Sequence, residues 1–404
     1  MVEKEVKVKL SELMYQVAFA LDCVEKDLLK VSTNHTKRVA YLCILTGKYL
    51  GMDEVAALDL ACAGILHDNA LTEYILSERA DAYDEKVWKT NMEKHCILGE
   101  ENGKAFPFAG DTRGYILYHH ENADGTGPFR KKEGEIPLGA EIIHICDRVD
   151  TIYALGKYTE EKYEKICAHV ESGKGSLYPE RVAGAFLHEV TDQVFQKMQD
   201  DRIDQSLKEI TPAKEREVPV EALIDFCTVV SRIVDYKSHF TREHSYQIAQ
   251  KARRMSEYYG YPEAEAKQFY VAAALHDLGK LATPVSILEK PGALTEEEFE
   301  IMKKHVYYTW QMLNRVKGME QITIWASSHH EKLDGTGYPF GKKAEELDDN
   351  CRLLTCIDIY QALSEDRPYR KGMTHQQAMK ILYQMVDQGA VDKKIVKDMD
   401  RVFG

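Results

Sequence analysis

The apolar positions of the chain follow a helical period over most of its length. One helix face begins at His244 and continues at steps of three or four residues, a spacing that places side chains on the same side of an α-helix. Its further members are Ile248, Ala252, Met255 and Tyr259. The stretch that begins at His35 repeats the same steps. Alternation with a period of two is scarce, so the pattern predicts an all-α fold.

Three further predicted helices carry polar residues on otherwise apolar surfaces. The segment QFYVAAALHDLGK is apolar all round until it reaches His276 and Asp277. The segment ALTEEEFEIMKKH opens with a capping-box pattern, with Thr295 as the N-cap, and carries His305 beside its apolar face. The segment RLLTCIDIYQAL contains Asp358 in a mostly apolar helix. These polar residues are therefore candidates for a buried functional site.

The same pattern occurs twice along the chain, at separations of 209 to 211 residues. The repeated positions are His35 and His244, His67–Asp68 and His276–Asp277, His95 and His305, His119–His120 and His329–His330, Asp124 and Asp334, and Asp147 and Asp358. Such a stable register indicates two tandem copies of one domain. A charged segment with two prolines, 200–219, separates them and is either a linker or the end of one helix and the start of the next. We expect a first domain at 1–205, a linker at 206–217 and a second domain at 218–404.

Composition excludes several classes of protein. With 44% hydrophobic and 29% charged residues the chain is typical of a soluble globular protein, and no apolar run reaches the ~18 residues that span a membrane. The first residues are amphipathic and charged, unlike a signal peptide. Nine cysteines without a CxxC pair argue against a disulfide scaffold or zinc ribbon and favour a reducing cytoplasm. A net charge of −13 disfavours duplex nucleic acid as a partner, although local cations or a metal can still hold a small phosphate ligand.

The repeated histidines and aspartates indicate metal binding. A lone helical histidine is usually a structural residue, but each copy gathers five imidazoles and two carboxylates in apolar helices, where an unpaired carboxylate is costly. In the first copy these are His35, His67, Asp68, His95, His119, His120 and Asp147. Seven donors exceed the four that one zinc ion takes and suit two cations sharing a carboxylate. Imidazole mixed with carboxylate favours iron or manganese without excluding other metals. Two metals ~3.5–4 Å apart can hold a hydroxide against phosphorus.

Four motifs stand in order in the second copy: HDLGK (276–280), LEKPGALTEEEFEIMKKH (288–305), HHEKLDGTGYP (329–339) and DRPYRKGMT (366–374). Together they resemble the HD-GYP family, a subgroup of the HD superfamily of metal-dependent phosphohydrolases. The resemblance covers about 244–374 and is highly specific, because the separated motifs keep their order. It implies hydrolysis of cyclic di-GMP to linear pGpG, and often on to GMP, with two iron or manganese ions.

The resemblance also implies roles for individual residues. The first metal is assigned to His244, His276, Asp277 and Asp358, and the second to His305, His329 and His330, with Asp277 as the bridge. A hydroxide between them is then the in-line nucleophile. Lys280 lies one helical turn from Asp277 and would neutralise charge on the phosphoryl oxygens. Some members hold a third metal through a glutamate one turn before the first histidine, and Phe240 at that position predicts a two-metal site.

The GTGYP turn and the DRPYR string supply candidate substrate contacts. Gly335 and Gly337 permit positive φ and close backbone approach. Tyr338 offers a ring that can stack on a base, and Arg367 and Arg370 can pair with ligand phosphates or guanine edges. The alternative is a structural turn with a face for a partner protein, and the sequence leaves both open.

The first copy keeps every candidate metal ligand but lacks other parts of the motifs. HDLGK has become HDNAL, with Leu71 in place of the lysine, and leucine cannot stabilise a phosphoryl charge. Pro128 and Phe129 stand in place of the tyrosine and proline of GTGYP, nothing resembles LEKPG, and segment 147–158 lacks DRPYR. We therefore favour a regulatory domain that binds metal or nucleotide, combined with a metal-stabilised packing platform, over a second hydrolase.

The leading hypothesis is a cyclic-dinucleotide phosphodiesterase acting in the second copy. Cyclic di-GMP is the family's usual substrate, and 3′,3′-cyclic GMP-AMP is the close alternative. A non-catalytic signalling module that binds nucleotide, or a partner such as a diguanylate cyclase, is a hypothesis of another class; a different HD-type reaction is the third. The complete ligand set together with Lys280 favours an enzyme. The sequence leaves the oligomeric state open, a homodimer included.

Overall fold

The computed structural model describes residues 6–29, 33–71, 85–157, 159–212, 216–237, 243–366 and 371–404. Within these residues the chain is α-helical apart from one two-stranded sheet, which confirms the all-α class. It divides into two compact units, Met14–Arg216 and Met1–Leu13 with Glu217–Gly404. No helix in the described ranges combines the length and apolar character needed to cross a membrane.

Helix α1 (Leu10–Leu29) begins in the C-terminal unit and continues into the N-terminal one. The N-terminal unit then contains α2 (His35–Tyr49), α3 (Glu54–Leu66), α4 (Glu85–Gly103), α5 (Leu138–Tyr153), α6 (Glu160–Gly173), α7 (Glu180–Glu189), α8 (Asp192–Lys197) and α9 (Ile203–Ile210). The C-terminal unit contains α10 (Ile224–Tyr236), α11 (His244–Tyr259), α12 (Glu263–Leu275), α13 (Val285–Leu288), α14 (Glu296–Leu313), α15 (Glu320–Ala326), α16 (Asp349–Ser364), α17 (His375–Asp387) and α18 (Lys393–Phe403).

The division into units differs in two places from the sequence-based domains. Strand β1 (Lys7–Lys9) pairs antiparallel with β2 (Glu217–Pro219), so the first residues of the chain belong with the second copy. Val8 and Leu10 are buried there because this edge covers the apolar core. The expected linker 206–217 begins inside α9, where Leu207 is buried within the N-terminal unit. The amphipathic pattern of α9 and the burial of Leu207 place this helix in the first unit. The charge of the segment alone does not reveal this.

The helices that carry the repeated histidines form where the sequence pattern predicts. In α11, Ile248, Ala252 and Met255 are fully buried, which confirms the core-facing stripe below His244. Helix α14 starts with the expected capping box between Thr295 and Glu298. Helix α12 ends at Leu275, so the His-Asp step lies in the turn beyond it, followed by a 3₁₀ segment Leu278–Ala282.

An aspartate on the preceding helix anchors the first histidine helix in each copy. Asp235 accepts hydrogen bonds from the backbone amide and hydroxyl of Ser245, at 2.8 and 2.7 Å. Asp22 binds Thr36 in the same way, at 2.9 and 3.0 Å. Ser245 and Thr36 directly follow the first histidines, so these carboxylates satisfy amides that the helix start leaves free and fix where each histidine stands.

The backbone beyond α12 packs directly on α14. Thr309 accepts the amide of Gly279 at 2.9 Å and donates its hydroxyl to the carbonyl of His276 at 3.0 Å. A Cβ added at Gly279 would lie 2.0 Å from the carbonyl oxygen of His305. In the first copy, Ala70 corresponds to Gly279 and Gly99 corresponds to Thr309. The glycine of this contact therefore lies on the helix, α4, and not in the turn after the His-Asp step.

We expect Gly279→Ala to destabilise the C-terminal unit, because the new methyl group meets backbone atoms that cannot rotate away. Overpacking of this kind costs about 1–3 kcal/mol. Thermal and denaturant unfolding measure the loss. Gly184→Ala on α7 is the control, since nothing lies within 4 Å of an added Cβ there, and it should be neutral or slightly stabilising. Equal stability of both variants would contradict the packing argument.

Candidate metal centre

Three imidazoles of the second copy are oriented by the same backbone device. His276, His305 and His329 each bond through Nδ1 to the carbonyl three residues earlier, at 2.7, 2.6 and 2.6 Å. A carbonyl oxygen can only accept, so Nδ1 carries the proton. The lone pair is therefore on Nε2, the form in which imidazole binds a metal.

The Nε2 atoms of these three residues converge on the buried carboxylate of Asp277. They lie 3.1 Å (His276), 3.3 Å (His305) and 3.9 Å (His329) from its oxygens. All three are buried and make no hydrogen bond within the described part of the chain. Lys280 donates to Asp277 Oδ2 at 2.5 Å. Burial raises the pKa of Asp277, but His276 and Lys280 outweigh it and lower the pKa well below its usual value, so the carboxylate is ionised.

A second carboxylate, Asp358 on α16, completes the cluster. His244 Nε2 lies 3.3 Å from Asp358 Oδ1, and His330 Nδ1 lies 3.4 Å from Asp358 Oδ2. His244 Nε2 is also 3.7 Å from Asp277 Oδ2. Burial lowers the pKa of His330 to about 3 and keeps the ring neutral. Burial opposes the charge on His244 too, but Asp358 and Glu365 raise its pKa to about 10.

The donor atoms form two groups, each gathered within 4.8 Å. The first group is His244, His276 and Asp358, and the second is His305, His329 and His330. Asp277 lies beside members of both groups, with one oxygen toward His276 and the other toward His305. The structure therefore brings together all seven sequence-predicted ligands of the second copy.

Sequence reasoning missed Glu365, which orients the first histidine. Glu365 accepts a hydrogen bond from His244 Nδ1 at 2.8 Å, so Nε2 is left facing Asp358. The residue comes directly before DRPYR, but nothing in the register of the repeat points to it, because the first copy solves the same task differently. There, Asp150 on α5 accepts from His35 Nδ1 at 2.6 Å and is itself held by Arg38 at 2.6 and 3.0 Å.

The GTGYP turn packs on the histidine pair and lies at the edge of the cluster. Gly335 has φ +78°, as expected, but Gly337 has no positive φ. An added Cβ at Gly337 would lie 2.5 Å from Glu331 Cα and 2.6 Å from the carbonyl of His330, so close approach alone requires this glycine. The ring of Tyr338 is centred 4.8 Å from that of His330.

The cluster opens toward solvent at His330, whose side chain is 27% exposed. Phe299 and Lys303 of α14 lie on the same side, since the Lys303 ammonium is 5.4 Å from the centre of the Phe299 ring and 5.9 Å from that of Tyr338. Arg367, Arg370 and Phe240 lie outside the described residues.

The first copy assembles a matching cluster. His67 and His119 bond through Nδ1 to carbonyls three residues earlier, at 2.7 and 2.6 Å. Their Nε2 atoms, with that of His95, lie 3.4 to 3.6 Å from Asp68. His35 Nε2 lies 3.3 Å from Asp147 Oδ1. The remaining candidate, His120, has its ring centred 3.9 Å from that of His119. All seven candidates of this copy are therefore brought together as well.

A residue after the His-Asp step and the turn after the histidine pair differ between the copies. Leu71 is buried and replaces the ammonium of Lys280 with an alkyl group. The turn after the histidine pair is one residue shorter: Glu121 binds the amide of Phe129, eight residues on, whereas Glu331 binds that of Phe340, nine residues on. Phe129 therefore corresponds to Phe340, and the first copy has one proline where the second has the tyrosine and proline. The pairing of Phe129 with the second-copy proline is thus wrong.

Both clusters fit divalent cations. Each contains imidazoles whose buried Nε2 atoms lack hydrogen bonds in the described structure, beside an ionised carboxylate. A cation satisfies both at once, whereas buried polar atoms otherwise remain unpaired at a cost of several kcal/mol. The arrangement defines a helical metal-dependent hydrolase class in which the His-Asp step carries the shared ligand.

Comparison with known proteins agrees with this class. The family model described as HD domain matches residues 24–168 and 228–395, one match in each copy. The chain belongs to the HD domain family, in a tandem arrangement, and this family implies divalent metal binding.

Several curated relatives are cyclic-dinucleotide phosphodiesterases. The 3′3′-cGAMP-specific phosphodiesterase 1 of Vibrio cholerae is 28% identical over 97% of this chain and 91% of its own length. The cyclic di-GMP phosphodiesterase response regulator RpfG of Xanthomonas campestris is 33% identical over 38% of this chain and 41% of its own. A crystal structure of a cyclic GMP-AMP specific phosphodiesterase of V. cholerae superposes with a TM-score of 0.67 at 22% identity, covering 98% of both chains, and so shares the fold.

Removing Glu365 should weaken metal binding, because His244 loses the acceptor that fixes its ring. Loss of such an orienting group typically costs 10–100-fold in metal affinity or activity. We expect Glu365→Ala to show this loss in chelator competition, and Glu365→Gln, which keeps an acceptor oxygen, to lose less. Glu345→Ala, an exposed position, is the control. Unchanged affinity in Glu365→Ala would contradict an orienting role.

Proposed function

We propose that the chain is a metal-dependent phosphodiesterase that hydrolyses 3′,3′-cyclic GMP-AMP at the cluster of the second copy. The observation that carries this proposal is the convergence of buried imidazole nitrogens on Asp277, with Lys280 bonded to the same carboxylate. The Lys280 ammonium is held beside a set of ligands for two metal ions, and this arrangement suits a reaction in which negative charge develops on phosphoryl oxygens.

The length of the similarity favours cyclic GMP-AMP over cyclic di-GMP. The V. cholerae 3′3′-cGAMP-specific phosphodiesterases 1 and 3 align with 97% and 78% of the chain, and thus with more than one copy. RpfG and the cyclic di-GMP phosphodiesterase of Thermotoga maritima align with 38% and 39%. Cyclic di-GMP, the family's usual substrate, is the second candidate. Its products would be linear pGpG and then GMP.

The proposal includes two divalent cations, which seven donors can hold, and mixed imidazole and carboxylate donors favour iron or manganese. When bound, two such cations would supply a nucleophile from water at neutral pH and Lewis acidity toward the phosphoryl oxygens. The residues of the chain orient the reaction. Asp277 holds the Lys280 ammonium at the cluster, where it can contact a non-bridging phosphate oxygen. His330 and Tyr338 form the open edge, where a base of the substrate can lie against the tyrosine ring.

The first copy is not catalytic in this proposal. Leu71 offers no charge to the phosphate, and the shorter turn places no tyrosine beside its cluster. Its part is to support or regulate the second copy, through metal or nucleotide. A diguanylate cyclase or another signalling protein is the partner class that fits such a role.

Lys280→Leu, which copies Leu71, should lower kcat while the metal content stays close to that of the unchanged protein. Removal of one group that stabilises transition-state charge typically costs about 10²–10³-fold in kcat. Turnover of both dinucleotides and metal analysis on the same samples measure the two effects. Lys317→Leu, on an exposed side chain, is the control. Full activity in Lys280→Leu would remove this lysine from the mechanism.

The substrate and the active copy are tested together on anaerobically purified chain supplied with Fe²⁺ or Mn²⁺. We expect a higher kcat/KM for 3′,3′-cyclic GMP-AMP than for cyclic di-GMP, loss of turnover in Asp277→Ala and retained turnover in Asp68→Ala. A preference for cyclic di-GMP would reverse the substrate assignment. If metal-loaded protein turns over neither dinucleotide, the result would favour a binding module. An equal loss of turnover in Asp277→Ala and Asp68→Ala would contradict an accessory first copy.

A further inference from the structure

The first copy has a sulfur donor that the second copy lacks. Cys96 follows His95 on α4, and its Sγ lies 3.5 Å from His95 Nε2 and 4.0 Å from His119 Nδ1. With His120, these residues offer four donor atoms that all lie within 4.8 Å of one another. The second copy has Val306 at the position of Cys96, so its corresponding group contains imidazoles only.

The surroundings of this group leave imidazole nitrogens in need of a partner. Cys96 and His119 are fully buried, with 0% exposure. The Nε2 atoms of His119 and His120 are buried and make no hydrogen bond within the described ranges. Asp68 lies 3.6 Å from His119 Nε2 and contributes negative charge. The thiol therefore does not stand alone, because it lies in one group with these buried imidazoles.

We propose that His95, Cys96, His119 and His120 form a zinc-type site in the first copy. One sulfur and three imidazoles supply four donors, which is the number that tetrahedral structural zinc sites use. A thiolate also selects softer metals, such as zinc, over manganese. On binding, the Cys96 thiol releases its proton to solvent and the sulfur donates an electron pair to the cation. No electron transfer is involved.

A fourth protein donor changes what such a site can do. In the second copy, the corresponding group offers three histidines and would leave a fourth position for water or a phosphate, as catalytic sites require. In the first copy, Cys96 would occupy that position, and Leu71 stands where the second copy has the neighbouring ammonium. The two substitutions act in the same direction, toward a closed metal site that stabilises its unit. This inference does not depend on the activity proposed for the second copy.

Cobalt substitution in the full-length chain tests the site, because thiolate bound to Co²⁺ gives a sulfur-to-metal charge-transfer band that imidazole does not give. The variants are Cys96→Val, which reproduces the second copy, and Cys62→Val, a matched buried cysteine on α3. We expect the band in the unchanged chain and in Cys62→Val and its loss in Cys96→Val. Zinc retained after dialysis should fall by about one ion per chain in Cys96→Val, with a lower melting temperature.

Hydrolysis by Cys96→Val serves as a separate readout, and we expect it to be unchanged. A band and zinc content that persist in Cys96→Val would overturn the proposal. If Cys96→Val fails to fold, the variant Asp277→Ala decides: cobalt bound in its first copy without a thiolate band would equally overturn the proposal. Failure of the proposed hydrolase function would appear as absent turnover with these metal signals intact.

Discussion

A hydrogen bond from histidine Nδ1 to the backbone three residues earlier is the interaction on which both clusters depend. His67, His119, His276, His305 and His329 all make it. Several of these rings lie just beyond a helix end, where carbonyls lack partners inside the helix. The same bond that completes the helix end also sets the tautomer and aims Nε2 at the central aspartate. The hydrogen bond that ends the helix is therefore the same bond that orients the metal-binding nitrogen.

Much of this arrangement could be predicted from the sequence, because identical chemistry repeated in register is hard to explain in any other way. The all-α class, the tandem copies and the convergence of seven donors in each copy all follow from residues that the pattern singles out. Glu365 and Asp150 could not be found in this way, because they occupy non-corresponding positions on different elements. The missing residue in the first-copy turn leaves only a change of separation from 210 to 211, which does not say where the deletion lies.

The two copies show how one scaffold can be kept while its chemistry is changed. The buried ligands are retained in both, since removing one would leave a neighbouring carboxylate or imidazole unmatched. The differences lie at the edge of the cluster, where Leu71 replaces an ammonium, a shorter turn removes a tyrosine and Cys96 adds a sulfur. Such edge positions can change without loss of the helical core, which explains why the HD domain match extends over both halves of the chain.

The pairing of β1 with β2 has a consequence for biosynthesis. The strand at Lys7–Lys9 leaves the ribosome about two hundred residues before its partner at Glu217–Pro219. The intervening unit, 14–216, can fold as it emerges, while the strand and the apolar residues Val8 and Leu10 remain without their core. The C-terminal unit is therefore translated last, but it needs a strand that is synthesised before the N-terminal unit. A fragment cut at the boundary between the repeats would lack that segment and leave the core around β2 uncovered.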